Sequence, residues 1–259
     1  AYAKPWSKDK GLPHRINVKG TENILKAAFS AGVKRFVFTS SAAVIGPSPG
    51  TEPISESFPR TVPFFNEYEE TKAAAEEIVR SYSRDGMECV IVNPSRVYGP
   101  GPVNESNAVT KMIRQYSRGT WRIIPGDGTC VGNYVLVDDV AKGHILAAMH
   151  GTPGQRYLLG GENLTFDQFF ETLSMLTGRR RRMIRLPVSY MIAAARILEW
   201  QTSFTGIPPL ITAPWVKKYL NHWSLSSGKA YDDLGYQPVS FAVGAKLTLE
   251  WLTATGKPK

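Results

Sequence analysis

Tyr68 and Lys72 stand four residues apart in Tyr68-Glu-Glu-Thr-Lys72, and a serine pair, Ser40 and Ser41, lies upstream at the end of Phe36-Val37-Phe38-Thr39. A hydroxyl, a phenol and an ammonium together can protonate a carbonyl or deprotonate an alcohol. A free tyrosine, with a pKa of about 10, is a poor base at neutral pH; each unit of depression needs about 1.4 kcal/mol of preference for the phenolate. Lys72 is expected to supply that positive charge. About one Tyr-x-x-x-Lys match arises by chance in a chain of this size. The pair therefore gains meaning only from the elements that carry it.

Those elements read clearly. Residues 66–83 predict a helix with an apolar stripe at Ala73, Ala74, Ile78 and Val79, and a spacing of four puts Tyr68 and Lys72 on one face. Phe36-Val37-Phe38 is a short aromatic and β-branched run, the pattern of a buried parallel strand whose carboxyl end delivers Thr39, Ser40 and Ser41 to a loop. A second run, Cys89-Val90-Ile91-Val92, leads into Asn93-Pro94-Ser95-Arg96-Val97-Tyr98-Gly99-Pro100. Ligands of open α/β sheets sit outside the carboxyl ends of the strands, so three features converge on one edge.

Four segments and the tyrosine–lysine pair resemble the extended short-chain dehydrogenase/reductase family, in its dihydroflavonol-reductase-like branch. They are Asn17-Val-Lys-Gly-Thr21, Thr39-Ser-Ser-Ala-Ala-Val-Ile-Gly46, Pro94-Ser-Arg-Val-Tyr-Gly-Pro100 and Val137-Asp-Asp-Val-Ala141. The resemblance implies a Rossmann-type doubly wound α/β parallel sheet and a smaller, mostly helical substrate-binding domain. It also implies NAD or NADP as cofactor. Ser41, Tyr68 and Lys72 would be catalytic, with Asn17 orienting the lysine through a water relay. Thr39, Ser40, Tyr68, Lys72, Pro94 and Val97 would border the cofactor. No metal is implied. The family's glycine-rich strand–turn–helix is not in the sequence, which starts at a point resembling that just after the fourth strand; the amino-terminal half of the sheet is expected to be missing. Ile45 stands where the family usually has Tyr, and Asn93 where Arg often precedes the proline.

The expected division is 1–101 and 133–160 for the partial dinucleotide-binding domain and 102–132 and 161–259 for the substrate domain. Within the latter, Thr165-Phe-Asp-Gln168 predicts a capping box opening a helix over 166–177. Pro187 predicts another helix start, and Pro208-Pro209 its close. The expected activity is NAD(P)-dependent interconversion of a carbonyl and a secondary alcohol on a small hydrophobic or aromatic substrate. The alternatives are a nucleotide-sugar epimerase of the same family and a non-catalytic relative or fragment. A dehydratase fits less well, because Ala42 follows the active hydroxyl where an acidic residue is usual.

Composition narrows the classes further. The 259 residues carry a formal charge of +9 and a pI near 9.5. The basic run Arg179–Arg182 follows a predicted helix end, where arginines complement the dipole, and no aromatic interleaving accompanies it, so no nucleic-acid partner is expected. Cys89 and Cys130 form no metal or disulfide pattern, and the four histidines lack ligand spacing. No run reaches the ~20 apolar residues of a membrane span. The expected setting is cytoplasmic, with a small-molecule substrate and a homodimer through the helices carrying Asn17 and Tyr68.

Overall fold

A computed structural model describes residues 1–3, 9, 11–102, 107–205 and 212–255. Pro208 and Pro209 lie outside the described residues. The chain is an α/β fold whose central sheet runs β1 (Arg35–Thr39), β2 (Glu88–Pro94), β6 (Arg156–Leu159), all parallel. In β2 alternate residues face opposite layers, as the period of a strand requires. Cys89 and Ile91 pack with Leu25, Phe38, Ala75 and Val79, while Val90 and Val92 pack with Val140, Ala147, Tyr157 and Leu159. Both faces are thus covered by helices, which is why the strand reads as a continuous apolar run. Burial pushes the Cys89 thiol up to about 11, in keeping with an inert structural cysteine.

One covering layer is α1, residues 12–30, and α2 (Glu67–Arg84). Pro13 sits in the first turn of α1, where no N–H is needed, and the helix widens to a π-helical turn over Arg15–Lys19. Asn66 caps α2, its side chain accepting from the Glu69 N–H, and the acidic residues Glu67, Glu69 and Glu70 of the first turn suit the helix dipole. On the other face lies α4 (Val137–His150), and α3 (Ala108–Arg118) falls between them in sequence.

The strand around Val135 does not join the central sheet. As β5 (Val131–Leu136) it pairs in parallel with β3 (Arg96–Tyr98) and antiparallel with β7 (Glu162–Thr165). The break falls after β2 ends at Pro94, and β3 takes up the new pairing. Gly99 ends the turn with φ at 144°, and a Cβ there would sit 2.6 Å from Val137 Cγ1, so the start of α4 packs directly on its backbone. A two-stranded sheet, β4 (Ile123–Pro125) with β8 (Ile184–Leu186), completes the strands.

The second core is aromatic, with Tyr98, Tyr116, Tyr134, Phe166, Phe169, Phe170 and Phe241 buried together. It is closed by α5 (Phe166–Thr177), where the capping box of Thr165 and Gln168 is present as expected, and by α9 (Phe241–Thr255). Gly178 ends α5 in the left-handed conformation, and the arginine run that follows is tied to α3 through Arg181, which donates to the Ser117 carbonyl at 3.1 Å. Helices α6 (Val188–Thr205), α7 (Ala213–Tyr219) and α8 (Gly228–Leu234) complete the set. Among the described residues no helix is long and apolar enough to cross a membrane, and no cluster of three His, Cys, Asp or Glu is placed to hold a metal ion.

Candidate active site

Thr39, at the carboxyl end of β1, is followed by Ser40 and then Ser41, which caps a single 3-10 turn over Ala42–Val44 by accepting from the Ala43 N–H at 3.2 Å. Tyr68 lies in the first turn of α2, half-buried, with the Ser41 hydroxyl close enough to act on its phenol. Burial pushes the Tyr68 phenol up, while the Ser41 hydroxyl draws it down and the nearby Glu69 carboxylate pushes it up. The charge of Lys72 is not among these influences. The expected depression of the tyrosine by the lysine is therefore absent here, and the reason is where the ammonium points: Lys72 Nζ donates to the Thr39 carbonyl at 2.6 Å and sits 4.1 Å from the centre of the Phe38 ring.

Lys72 is only 3% exposed. Desolvation pulls its pKa down to about 8, against Glu76, whose negative charge holds it up. The residues at 68, 72 and 76 follow one another at helical turns along one face of α2. Asn17 occupies the π-helical turn of α1 and is buried; its amide donates to Thr71 Oγ1 at 3.0 Å and to the Tyr2 carbonyl at 3.1 Å. It thus grips α2 one residue before Lys72, while its own carbonyl accepts from Thr21 Oγ1 at 2.6 Å. Among the expected cofactor neighbours, Thr39 Oγ1 pairs with His144 Nε2 at 2.8 Å, Pro94 is buried at the end of β2, and Val97 packs against the core shared by Val92 and Val135.

The strand ends fit the nicotinamide portion of a dinucleotide. Ser40 Oγ and Ser95 Oγ are buried at the ends of β1 and β2 with no hydrogen-bond partner among the described residues, and buried hydroxyls are rarely left so. Together with the desolvated Lys72 ammonium they are groups able to satisfy a ribose or carboxamide.

Two sets of polar residues at this site escaped the sequence reading. Asn93, fully buried, donates to the Ser41 carbonyl at 3.0 Å and to Glu76 Oε1 at 2.7 Å. Its one signal was its departure from the family's arginine. Glu69, next to Tyr68 and fully buried, is paired with Arg60 at 2.8 Å and with Lys218 of α7 at 2.9 Å. Arg60 also donates to the Ala43 carbonyl at 2.6 Å, tying the turn after Ser41 to the start of α2. Nothing local in the sequence marks these partners. Ile45 fills a small core with Ala42, Ile54, Leu158 and Leu225.

Residues 3–160 match the family described as NAD dependent epimerase/dehydratase. The chain is 30% identical over its whole length to a putative dihydroflavonol 4-reductase of Synechocystis, of which it spans 76%. It is 32% identical to a 3-beta-hydroxysteroid dehydrogenase of Mycolicibacterium neoaurum over 86% of this chain, which amounts to 63% of that protein. Among solved structures, gox2253 superposes with a TM-score of 0.79 at 30% identity, covering 98% of this chain and 76% of that one. The UDP-glucose 4-epimerase of Thermus thermophilus, in complex with NAD, gives 0.75 at 25% identity, over 98% of this chain and 75% of the other. With the match running through both strand ends and the helix of Tyr68 and Lys72, the chain belongs to the NAD dependent epimerase/dehydratase family.

Proposed function

We propose that this protein interconverts a carbonyl and a secondary alcohol with NAD or NADP, acting on a small hydrophobic or aromatic substrate. The observation that carries the reading is the Ser41 hydroxyl acting on the Tyr68 phenol one turn from the buried Lys72. The nicotinamide supplies hydride when bound. Tyr68 donates its proton to the carbonyl oxygen, and its raised pKa keeps it in the acid form at neutral pH. Ser41 donates a hydrogen bond to the same oxygen as negative charge grows there. Lys72, protonated below about pH 8, adds a positive charge to the site and holds the ribose hydroxyls. Asn17 keeps α2 in register through Thr71. Thr39, Ser40, Pro94 and Val97 form the wall along the nicotinamide.

The apolar substrate class is supported by relatives named as a dihydroflavonol reductase and a hydroxysteroid dehydrogenase. In this reading the segments outside the central sheet, with their aromatic core, shape the substrate pocket. The likeness to solved UDP-glucose 4-epimerases keeps the sugar-nucleotide reading as the second one. A homodimer through α1 and α2 is part of the same proposal, supported by Ile24 and Phe29, exposed at 61% and 49% on α1; sedimentation as a monomer would remove it. The function is tested by following nicotinamide absorbance with a panel of aromatic and steroid ketones beside UDP-hexoses. Ketone-dependent oxidation of reduced cofactor is expected. Epimerisation of a UDP-hexose with no ketone turnover would transfer the assignment.

A further inference from the structure

Asn93 has two amide protons and spends both: one on the Ser41 carbonyl at 3.0 Å, the other on Glu76 Oε1 at 2.7 Å. Two acceptors on the same nitrogen fix the orientation of the amide, since its oxygen cannot replace either donation. Glu76 is in turn held from three elements: by Asn93 of β2, by Arg80 of its own helix at 3.1 Å and by Arg156 of β6 at 3.7 Å. We propose that Asn93 and Glu76 are positioning residues, a brace that locks the Ser41 turn to the helix carrying Tyr68 and Lys72 and fixes a negative charge one turn beyond the lysine.

A buried carboxylate is costly unless it is paired and hydrogen-bonded. Glu56 is held by the sheet backbone, accepting the Leu158 N–H at 2.6 Å. Glu76 is held by side chains instead. Its chain of bonds ends on the backbone of Ser41, and its charge acts on Lys72. The groups around the lysine leave Glu76 as its buried anion. Tyr68 shares its helix, Phe38 and the Thr39 carbonyl meet it from β1, and His144 of α4 is bonded to Thr39 rather than to the ammonium. The Asn17 amide is bonded to Thr71 and Tyr2, and Arg156 faces Glu76. Without the carboxylate, only the Thr39 carbonyl and the Phe38 ring would oppose the effect of burial on the ammonium.

The brace rests on the proposed reaction only for its consequence in turnover, so the test begins without substrate. Glu76→Gln keeps the acceptor for Asn93 and removes the charge. The Lys72 amine is titrated by NMR in protein carrying 13Cε-lysine, its resonance identified by its loss in Lys72→Met. In Glu76→Gln the acid dissociation constant of Lys72 is expected to rise about tenfold; in Glu76→Asp, which keeps the charge, the rise is expected to be smaller. Asn93→Ser, which breaks the link to Ser41, is expected to leave that constant within about twofold and to lower kcat for carbonyl reduction about tenfold at unchanged KM. A folded Glu76→Gln with an unchanged Lys72 titration overturns the brace. So does Asn93→Ser with unchanged kcat, which decides the matter if the Gln variant does not fold. A parent protein that reduces no ketone while Glu76→Gln shifts the lysine would instead sink the proposed reaction and leave the brace in place.

Discussion

Helix α2 carries two buried carboxylates, Glu69 beside Tyr68 and Glu76 beyond Lys72, and their surroundings differ in origin. Glu76 is held by its own helix and by neighbouring strands of the central sheet. Glu69 is held by a loop arginine, Arg60, and by Lys218 of α7, a helix outside the sheet. The lysine end of the helix is therefore anchored to the sheet, and the tyrosine end to the part of the chain proposed to receive substrate. Burial pulls the Lys218 ammonium down while Glu69 holds it up, so this contact depends on the charge of Glu69. The difference separates two tasks: keeping Lys72 in place over the strand ends, and setting Tyr68 against whatever the outer segments bind.

Substitutions at either end sharpen or break this contrast. The largest effect is expected for Lys72→Met, which removes the ammonium from the sheet-anchored end and should lower carbonyl reduction by about 10³-fold while weakening cofactor binding. The same variant has a signature in stability. Because the folded pKa of about 8 lies below the 10.5 of an ordinary lysine, the unfolded chain holds a proton that the folded chain releases between these pH values. Stability of the parent should accordingly gain a rising contribution as pH climbs from 8 to 10.5, and that contribution should vanish in Lys72→Met when unfolding in urea is followed across the range. Equal slopes in the two proteins would mean the lysine is not desolvated.

Glu69→Ala comes next. It strands Arg60 and Lys218 without their common carboxylate and is expected to cost about 3 kcal/mol in unfolding free energy. Ser41→Ala should follow, lowering kcat about 100-fold by removing one donor to the developing oxyanion, with the fold intact by circular dichroism. Lys218→Met is expected to be mildest, about 1 kcal/mol, since Arg60 still covers Glu69 and the buried ammonium is removed together with its desolvation cost. A Lys218 variant as damaging as Glu69→Ala would mean that Arg60 alone does not hold Glu69.

The contrast also marks what the sequence made legible. Strand β2 and helix α5 fall where the apolar run and the Thr165 capping box put them, and Tyr68 and Lys72 lie one turn apart because helix α2 has a known period. The π-helical turn around Asn17 left no pattern, since one extra residue per turn barely disturbs the apolar stripe of α1. Arg60 and Lys218 were invisible because their partner is distant in sequence, and polar residues in a loop and on a helix read as solvated. The expected path of charge from Lys72 to Tyr68 failed for a different reason. Spacing put the two on one face, but it could not say that the ammonium would settle on the Thr39 carbonyl and the Phe38 ring. The NAD-binding glycine turn expected from the family is not in this sequence, and the chain covers 60–76% of its first two relatives.

The central claim is that Tyr68 is the proton donor to a carbonyl held by Ser41. It is tested most directly by single-turnover transfer of deuteride from labelled reduced cofactor to an aromatic ketone, in the parent and in Tyr68→Phe, at saturating cofactor and neutral pH. The parent should deliver the label to the carbinol carbon, and Tyr68→Phe should do so about 10³-fold to 10⁴-fold more slowly with cofactor affinity retained. Deuteride transfer at the same rate in both proteins would contradict the account.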